Sequence, residues 1–181
     1  MIVPHVAVTA LGNDRPGIVA AVTGVLVHHG GNLEDTAMTN LGGHFAMMLV
    51  VEVPDGESAE ALERSLVDEV GAEMGLTVAV RPIVDDPGAG PEGAPWAVSL
   101  YGADRPGIVH AVAQKLADYG ANIVDLSTRV IGRGPEHAYV LLMELSLPAN
   151  ADADQLGDEL SALAAELGVE IHFRPDDAEI L

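Results

Sequence analysis

Residues Gly12 to Asp35, GNDRPGIVAAVTGVLVHHGGNLED, are matched without a gap by Gly102 to Asp125, GADRPGIVHAVAQKLADYGANIVD, at an offset of 90. About half of the aligned positions are identical. Self-similarity over such a stretch means that one supersecondary unit is built twice, so any fold proposed for one half must also serve the other. Further on, Phe45 aligns with Tyr139, Pro54 with Pro148 and Arg81-Pro82 with Arg174-Pro175. The offset grows because GRGPEH lengthens a turn that LGGH makes briefly. A unit of about 80 residues just sustains its own core. We therefore expect a module at 1–84, a linker at 85–95, a second module at 96–175 and an acidic tail at 176–181. The linker, DDPGAGPEGAP, is dense in Pro, Gly and acid and has no apolar period.

Within each copy the hydrophobic period switches between strand and helix. Residues 3–11 and 96–101 are short β-rich runs. Ile18, Val19, Val22 and Leu26 then recur at helix spacing, as do Ile108, Val109, Val112 and Leu116. Gly30 and Gly120 follow where a helix C-terminus favours a left-handed residue. Two extended runs come next in each copy, Leu33 to Asn40 with His44 to Val53, and Ile123 to Ile131 with His137 to Leu147. Gly-bearing connectors make them hairpins. A second helix carries Leu62, Leu66, Val70 and Met74 in the first copy and Leu156, Leu160, Leu163 and Leu167 in the second. Closing strands are expected at Leu76 to Arg81 and Val169 to Arg174. The order is β-α-β-β-α-β, twice. That split pattern predicts an α+β chain of two ferredoxin-like modules, each an antiparallel sheet with both helices on one face.

Composition removes several function classes. The 181 residues carry 28 Asp and Glu against 8 Lys and Arg, a formal charge of -20. Such a chain is repelled by phosphate backbones and anionic lipid, so we expect no direct nucleic-acid contact and no membrane association. The absence of Cys excludes disulfides, thiolate nucleophiles and zinc–thiolate sites and fits a cytoplasmic protein. The start MIVPHVAV lacks the basic, then apolar, pattern of a signal peptide.

The repeated Asp-Arg-Pro-Gly sits at a strand-to-helix turn. Asp14 and Asp104 are suited to cap orphan N–H groups, and Pro16 and Pro106 to preset φ in the first helical turn. Gly17 and Gly107 lack a Cβ and let a backbone or a ligand come close. Helix N-termini of this kind attract anions, so the carboxylate of a free amino acid suits them. Asn32 and Asn122, just past the first helix, offer both donor and acceptor to a zwitterion. Each of these residues also has a purely structural use as a helix start or turn former. Duplication copies both kinds of residue alike.

The pattern G-x-D-R-P-G-I-V through G-x-N-[IL]-x-D resembles the opening helix and flanking loops of ACT domains, the small amino-acid-sensing regulatory modules. The likeness covers nearly the whole chain as two modules. Free-standing tandem chains of this size resemble the glycine cleavage system transcriptional repressor group. The resemblance implies an effector such as glycine or serine, bound where two modules meet. The implied ligand residues are Gly12, Asn13, Asp14 and Gly17 with Asn32 and Leu33, and Gly102, Ala103, Asp104 and Gly107 with Asn122 and Ile123. Ala103 replaces Asn13 and removes a side-chain amide, so the first loop has the richer polar complement. It also implies a protein partner, such as a transcriptional activator or an enzyme.

Alternatives differ in class. No Gly-x-Ser-x-Gly elbow, phosphate loop or paired acid motif suggests an enzyme. We therefore expect neither catalysis nor a cofactor. His28 and His29 point about 100° apart on a helix and are poorly placed to share a metal ion. A ligand-free adaptor that only dimerises would use the same glycines for close packing, and edge strands in both modules make a homodimer a natural product.

Overall fold

The computed structural model describes residues 4–83, 93–132 and 138–176. The chain divides into two compact units, Met1–Asp86 and Pro87–Leu181. The first contains β1 (His5–Asn13), α1 (Ile18–His28), β2 (Asn32–Leu41), β3 (His44–Glu52), α2 (Ala59–Leu66), a π-helical segment (Val67–Gly71), α3 (Ala72–Met74) and β4 (Leu76–Ile83). The second contains β5 (Ala94–Gly102), α4 (Ile108–Asp118), β6 (Asn122–Ile131), β7 (Ala138–Leu147), α5 (Ala153–Leu167) and β8 (Val169–Pro175). β5 begins at Ala94, two residues inside the expected linker, while 84–92 lie outside the described residues. So do the expected strand start at His137 and most of the acidic tail.

Each unit is a four-stranded antiparallel sheet, in the order β2-β3-β1-β4 and β6-β7-β5-β8. β1 and β2 run parallel with β3 between them, which is the split βαβ arrangement the element order predicts. Alternation decides the faces. Val6, Val8 and Ala10 of β1 and Phe45, Met47, Leu49 and Val51 of β3 are buried toward the helices, where Ile18, Val22, Leu26, Leu62 and Leu66 meet them. Val98, Leu100, Leu141, Met143 and Leu145 do the same beneath Ile108, Val112, Leu116, Leu156 and Leu160. The edge strands are different. All ten residues of β2 are exposed, as are nine of the ten in β6.

Helix C-termini follow the sequence closely. Gly30 and Gly120 adopt φ of 70° and 71°. The next N–H in each case reaches back to the carbonyl of Leu26 or Leu116 at 2.8 and 3.1 Å, closing a Schellman turn.

The second helices diverge, and their apolar spacing explains why. In α5 the stripe runs 156, 160, 163, 167, steps of four, three and four, which hold one face of an α-helix. Leu156 and Leu160 are buried there; Leu163 and Leu167 are half-buried because Ala164 takes the inner position. The first copy spaces Leu62, Leu66, Val70 and Met74 by four each time. Each such step drifts about 40° around an α-helix. The π-helical turn at Val67–Gly71 takes up the added residue, and Val70 stays buried at 2 % exposure. Deleting exposed Asp68 restores the α5 spacing. We expect the variant to fold, with a calorimetric Tm equal to or above that of the parent; loss of the unfolding transition would contradict this reading.

In the second unit a polar clasp joins the two helices. Lys115 Nζ donates to Glu159 Oε2 at 2.7 Å, and Tyr119 Oη donates to Glu159 Oε1 at 2.7 Å. The Lys115 and Tyr119 hydrogen bonds hold the Glu159 carboxyl down to about 2, and the carboxylate pushes the Tyr119 phenol up to about 12. A depressed carboxyl contributes stability above its ordinary value of 4.5 and loses it as pH falls through about 2. The raised phenol contributes below its ordinary value of 10.0 and loses that as pH rises through about 12. The stability difference between the parent and Glu159→Gln is therefore expected to be constant at neutral pH and to close between pH 4.5 and 2 in denaturant titrations. A difference that persists unchanged to pH 2 would remove the clasp as its cause.

Candidate functional site

The turn from β1 into α1 gathers four of the six residues predicted for the first module, Gly12, Asn13, Asp14 and Gly17. Asn13 ends β1 opposite His44. Asp14 N–H donates to the Gly43 carbonyl at 3.0 Å, and Asn40 Nδ2 donates to Asp14 Oδ2 at 2.6 Å. The Asp14 carboxylate is thus turned toward the end of β2, and the expected capping role is corrected. Gly17 is the N-cap of α1 and Gly107 that of α4, with φ of 95° and 93° and no side-chain cap in either case. Pro16 and Pro106 precede those glycines, outside the first helical turn. A left-handed glycine reverses the chain here, so Asp and Pro lie too far upstream to act within the helix.

The absence of a capping side chain has a chemical result. The N–H groups of Ile18, Val19 and Ala20 have no intrahelical acceptor, because the first such bond runs from Ala21 N–H to the Gly17 carbonyl at 2.9 Å. They stand at the positive end of an 11-residue helix. Beside them opens a hollow of about 470 Å3. Asp14, Arg15, Gly17 and Ile18 to Ala20 line it together with Met38 and Phe45 of the sheet.

The glycines divide by role. A Cβ on Gly12 would lie 2.7 Å from Leu76 Cδ2 and 2.8 Å from the Gly75 carbonyl oxygen; one on Gly102 would lie 2.6 Å from Val169 Cγ1. Close packing of the strands explains these two. Gly17 and Gly107 have room for a methyl group, and their positive φ alone demands glycine. Gly17→Ala is expected to lower stability by about 1–2 kcal/mol in denaturant unfolding, with the fold retained; an unchanged midpoint would contradict the left-handed assignment.

The other predicted residues lie elsewhere in the module. Asn32 pairs with Glu52, and Asn13 with His44, so the length of β3 separates them, about 25 Å. Leu33 is adjacent to Asn32 and 43 % exposed. In the second unit Asn122 pairs with Ser146, at the far end from Gly102, which pairs with Tyr139. Ala103 and Asp104 follow Gly102 and are exposed, and Ile123 is half-buried against the core. No single module brings loop and Asn together. After Leu33 and after Ile123 a β-bulge shifts the register, a feature with no signal in the apolar pattern.

Sequence reasoning did not assign Asn40, Met38, Phe45, Arg15 or Arg105 to a site. Asn40 and Met38 share the helix-side row of β2 with Phe45 beside them, a placement that strand alternation could have suggested once β2 was set against β3. Arg15 Nη1 approaches the Glu73 carbonyl at 3.5 Å, and Arg105 Nη1 donates to the Leu167 carbonyl at 3.1 Å. Each Arg of the motif thereby ties its loop to the end of the second helix. Among the described residues no three His, Asp or Glu side chains converge as metal ligands, and no helix is long and apolar enough to cross a membrane.

Comparison with known proteins places this geometry. The ACT-domain family model matches residues 5–81 and 97–174. The glycine cleavage system transcriptional repressor of Escherichia coli is 28% identical over 168 residues, covering 92% of this chain and 87% of the relative. A UPF0237 protein of Methanopyrus kandleri is 38% identical over 74 residues, 41% of this chain and 82% of that one. A crystal structure of an unknown protein from Galdieria sulphuraria superposes with a TM-score of 0.83 at 25% identity, over 97% of this chain and 99% of the other. With both repeats matched, the chain belongs to the ACT-domain family, as a tandem of two such modules.

Proposed function

We propose that this chain is a regulatory protein without catalytic activity, which binds a free amino acid at the β1–α1 turn and transmits occupancy through contacts with another protein. The observation that carries the reading is the uncapped first turn of α1 opening on a hollow beside Asp14. Peptide N–H groups suit the ligand carboxylate, and the Asp14 carboxylate suits its ammonium. Amino-acid binding is also what ACT-family membership suggests, with glycine or serine the effectors to try first.

The site is completed from outside the module. Among the described residues β2 has no further strand on its outer edge, and beyond Glu34, Asp35 and the bulge after Leu33 the run Thr36 to Leu41 offers its backbone to another strand. Antiparallel pairing with the same edge of a second copy sets the start of one strand beside the end of the other. That brings Asn32 of one copy toward the turn that carries Asp14 in its homodimer partner. The kinship with a glycine cleavage system transcriptional repressor suggests control of glycine or one-carbon metabolism. With a charge of -20, such control acts on an activator or enzyme in the cytoplasm and needs no direct DNA contact.

A ligand-free dimerisation module is the second reading, and the exposed edges of β2 and β6 favour it. Thermal unfolding across single amino acids separates the two. A ligand at about 100 times its Kd adds roughly 2.7 kcal/mol of stability. We expect at least one amino acid to raise Tm and the Asp14→Ala/Asn32→Ala variant to fold without responding. A flat profile across the whole set would leave only the adaptor reading, and an undiminished response in the double variant would reject the site.

A further inference from the structure

We infer that the hollow at the start of α1 selects an amino acid with a large aliphatic or thioether side chain, leucine- or methionine-like, over glycine and serine. This rests on the binding reading above and names the ligand class for that site. Asp14 and Arg15, the two charged residues of the lining, stand just before Gly17 and the first turn of α1, where the ammonium and carboxylate are to be held. The rest of the wall is apolar: Ile18 and Phe45, each 2 % exposed, with Val19 and Met38 at 42 % and 57 %. Glycine has no side chain to set against that wall, and serine has only a short polar one that leaves Met38 and Val19 uncovered. An aliphatic side chain covers Met38 and Val19 and removes their apolar surface from water.

The duplication shows that the fold does not require a methionine at position 38. Met38 stands opposite Met47 in the sheet, and the equivalent Thr128 stands opposite Leu141. Both positions are exposed on an edge strand, and the second module folds with a hydroxyl where the first has a thioether. Asn40, which orients Asp14, is likewise Val130 in the second module. The two turns therefore differ at the Met38 position and in whether a β-strand residue holds the Asp carboxylate, while the Asp itself is common to both. The first takes the larger apolar side chain.

Calorimetric titration of the full chain with leucine, methionine, glycine and serine tests this. The parent is expected to bind leucine or methionine at least about tenfold more tightly than glycine, the scale of a few buried methylenes. Met38→Thr, which gives the first module the residue of the second, is expected to cut leucine affinity about tenfold, leaving glycine affinity and the ligand-free Tm unchanged. Glycine or serine binding as tightly as leucine through an Asp14-dependent site overturns the selectivity and leaves the binding reading standing. Equal loss for every amino acid in Met38→Thr also overturns it. Failure to bind any of the four overturns the selectivity; the full amino-acid melt series then decides the binding reading separately.

Discussion

Everything at this turn depends on one backbone constraint: the chain leaves the central strand β1 and enters α1 through a glycine at φ of 95°. An L side chain is strained in that conformation, whatever space surrounds it. Because the reversal is made by the backbone itself, no polar side chain follows closely enough to cap the helix. The first-turn amides are left without an intrahelical acceptor, and their residues line a hollow. The second module repeats the reversal at Gly107 with φ of 93°. Two independent cores thus hold the same unfinished helix start in place.

What differs between the modules is how that turn is tied down. In the first, Asp14 is bound to the β2–β3 hairpin through Asn40 and Gly43, and Arg15 only approaches the end of the second helix. In the second, Val130 stands at the Asn40 position and Arg105 makes the shorter bond to the helix end. The helix pairs diverge in the same way. Lys115, Tyr119 and Glu159 clasp α4 to α5, whereas the first module joins the end of α1 to the start of the second helix region by His29 Nδ1 and Glu57 Oε1 at 3.2 Å. One frame was copied, and its polar fittings were then changed independently.

The fold was legible because it rests on local periods and on a repeat. Strand alternation, the i, i+4 stripes and Gly30 and Gly120 each specify their element within a few residues, and the second copy checks the first. The site was legible only in part. Asp14 and Asn32 are both marked by the motif, yet the register of β3 sets them at opposite ends of the sheet, and register is a long-range property. Asp14 does not cap α1 because the left-handed Gly17 sets it too far upstream, and Asn40, 26 residues later, holds its carboxylate instead. Met38 and Phe45 looked like ordinary strand residues until the pairing of β2 with β3 put them under α1. The π-helical turn was written in the steps of four from Leu62 to Met74, which an α-helix cannot keep on one face.

In the function we propose, the uncapped helix start receives a zwitterion and the edge strands carry the consequence to a partner. Backbone amide NMR of the full chain, titrated with leucine, addresses that receptor most directly. The account predicts that the resonances of Ile18, Val19 and Ala20 move first and saturate together, with smaller changes at Asn40 and Met38. Saturating shifts confined to other parts of the chain, with these three amides unmoved, would contradict it.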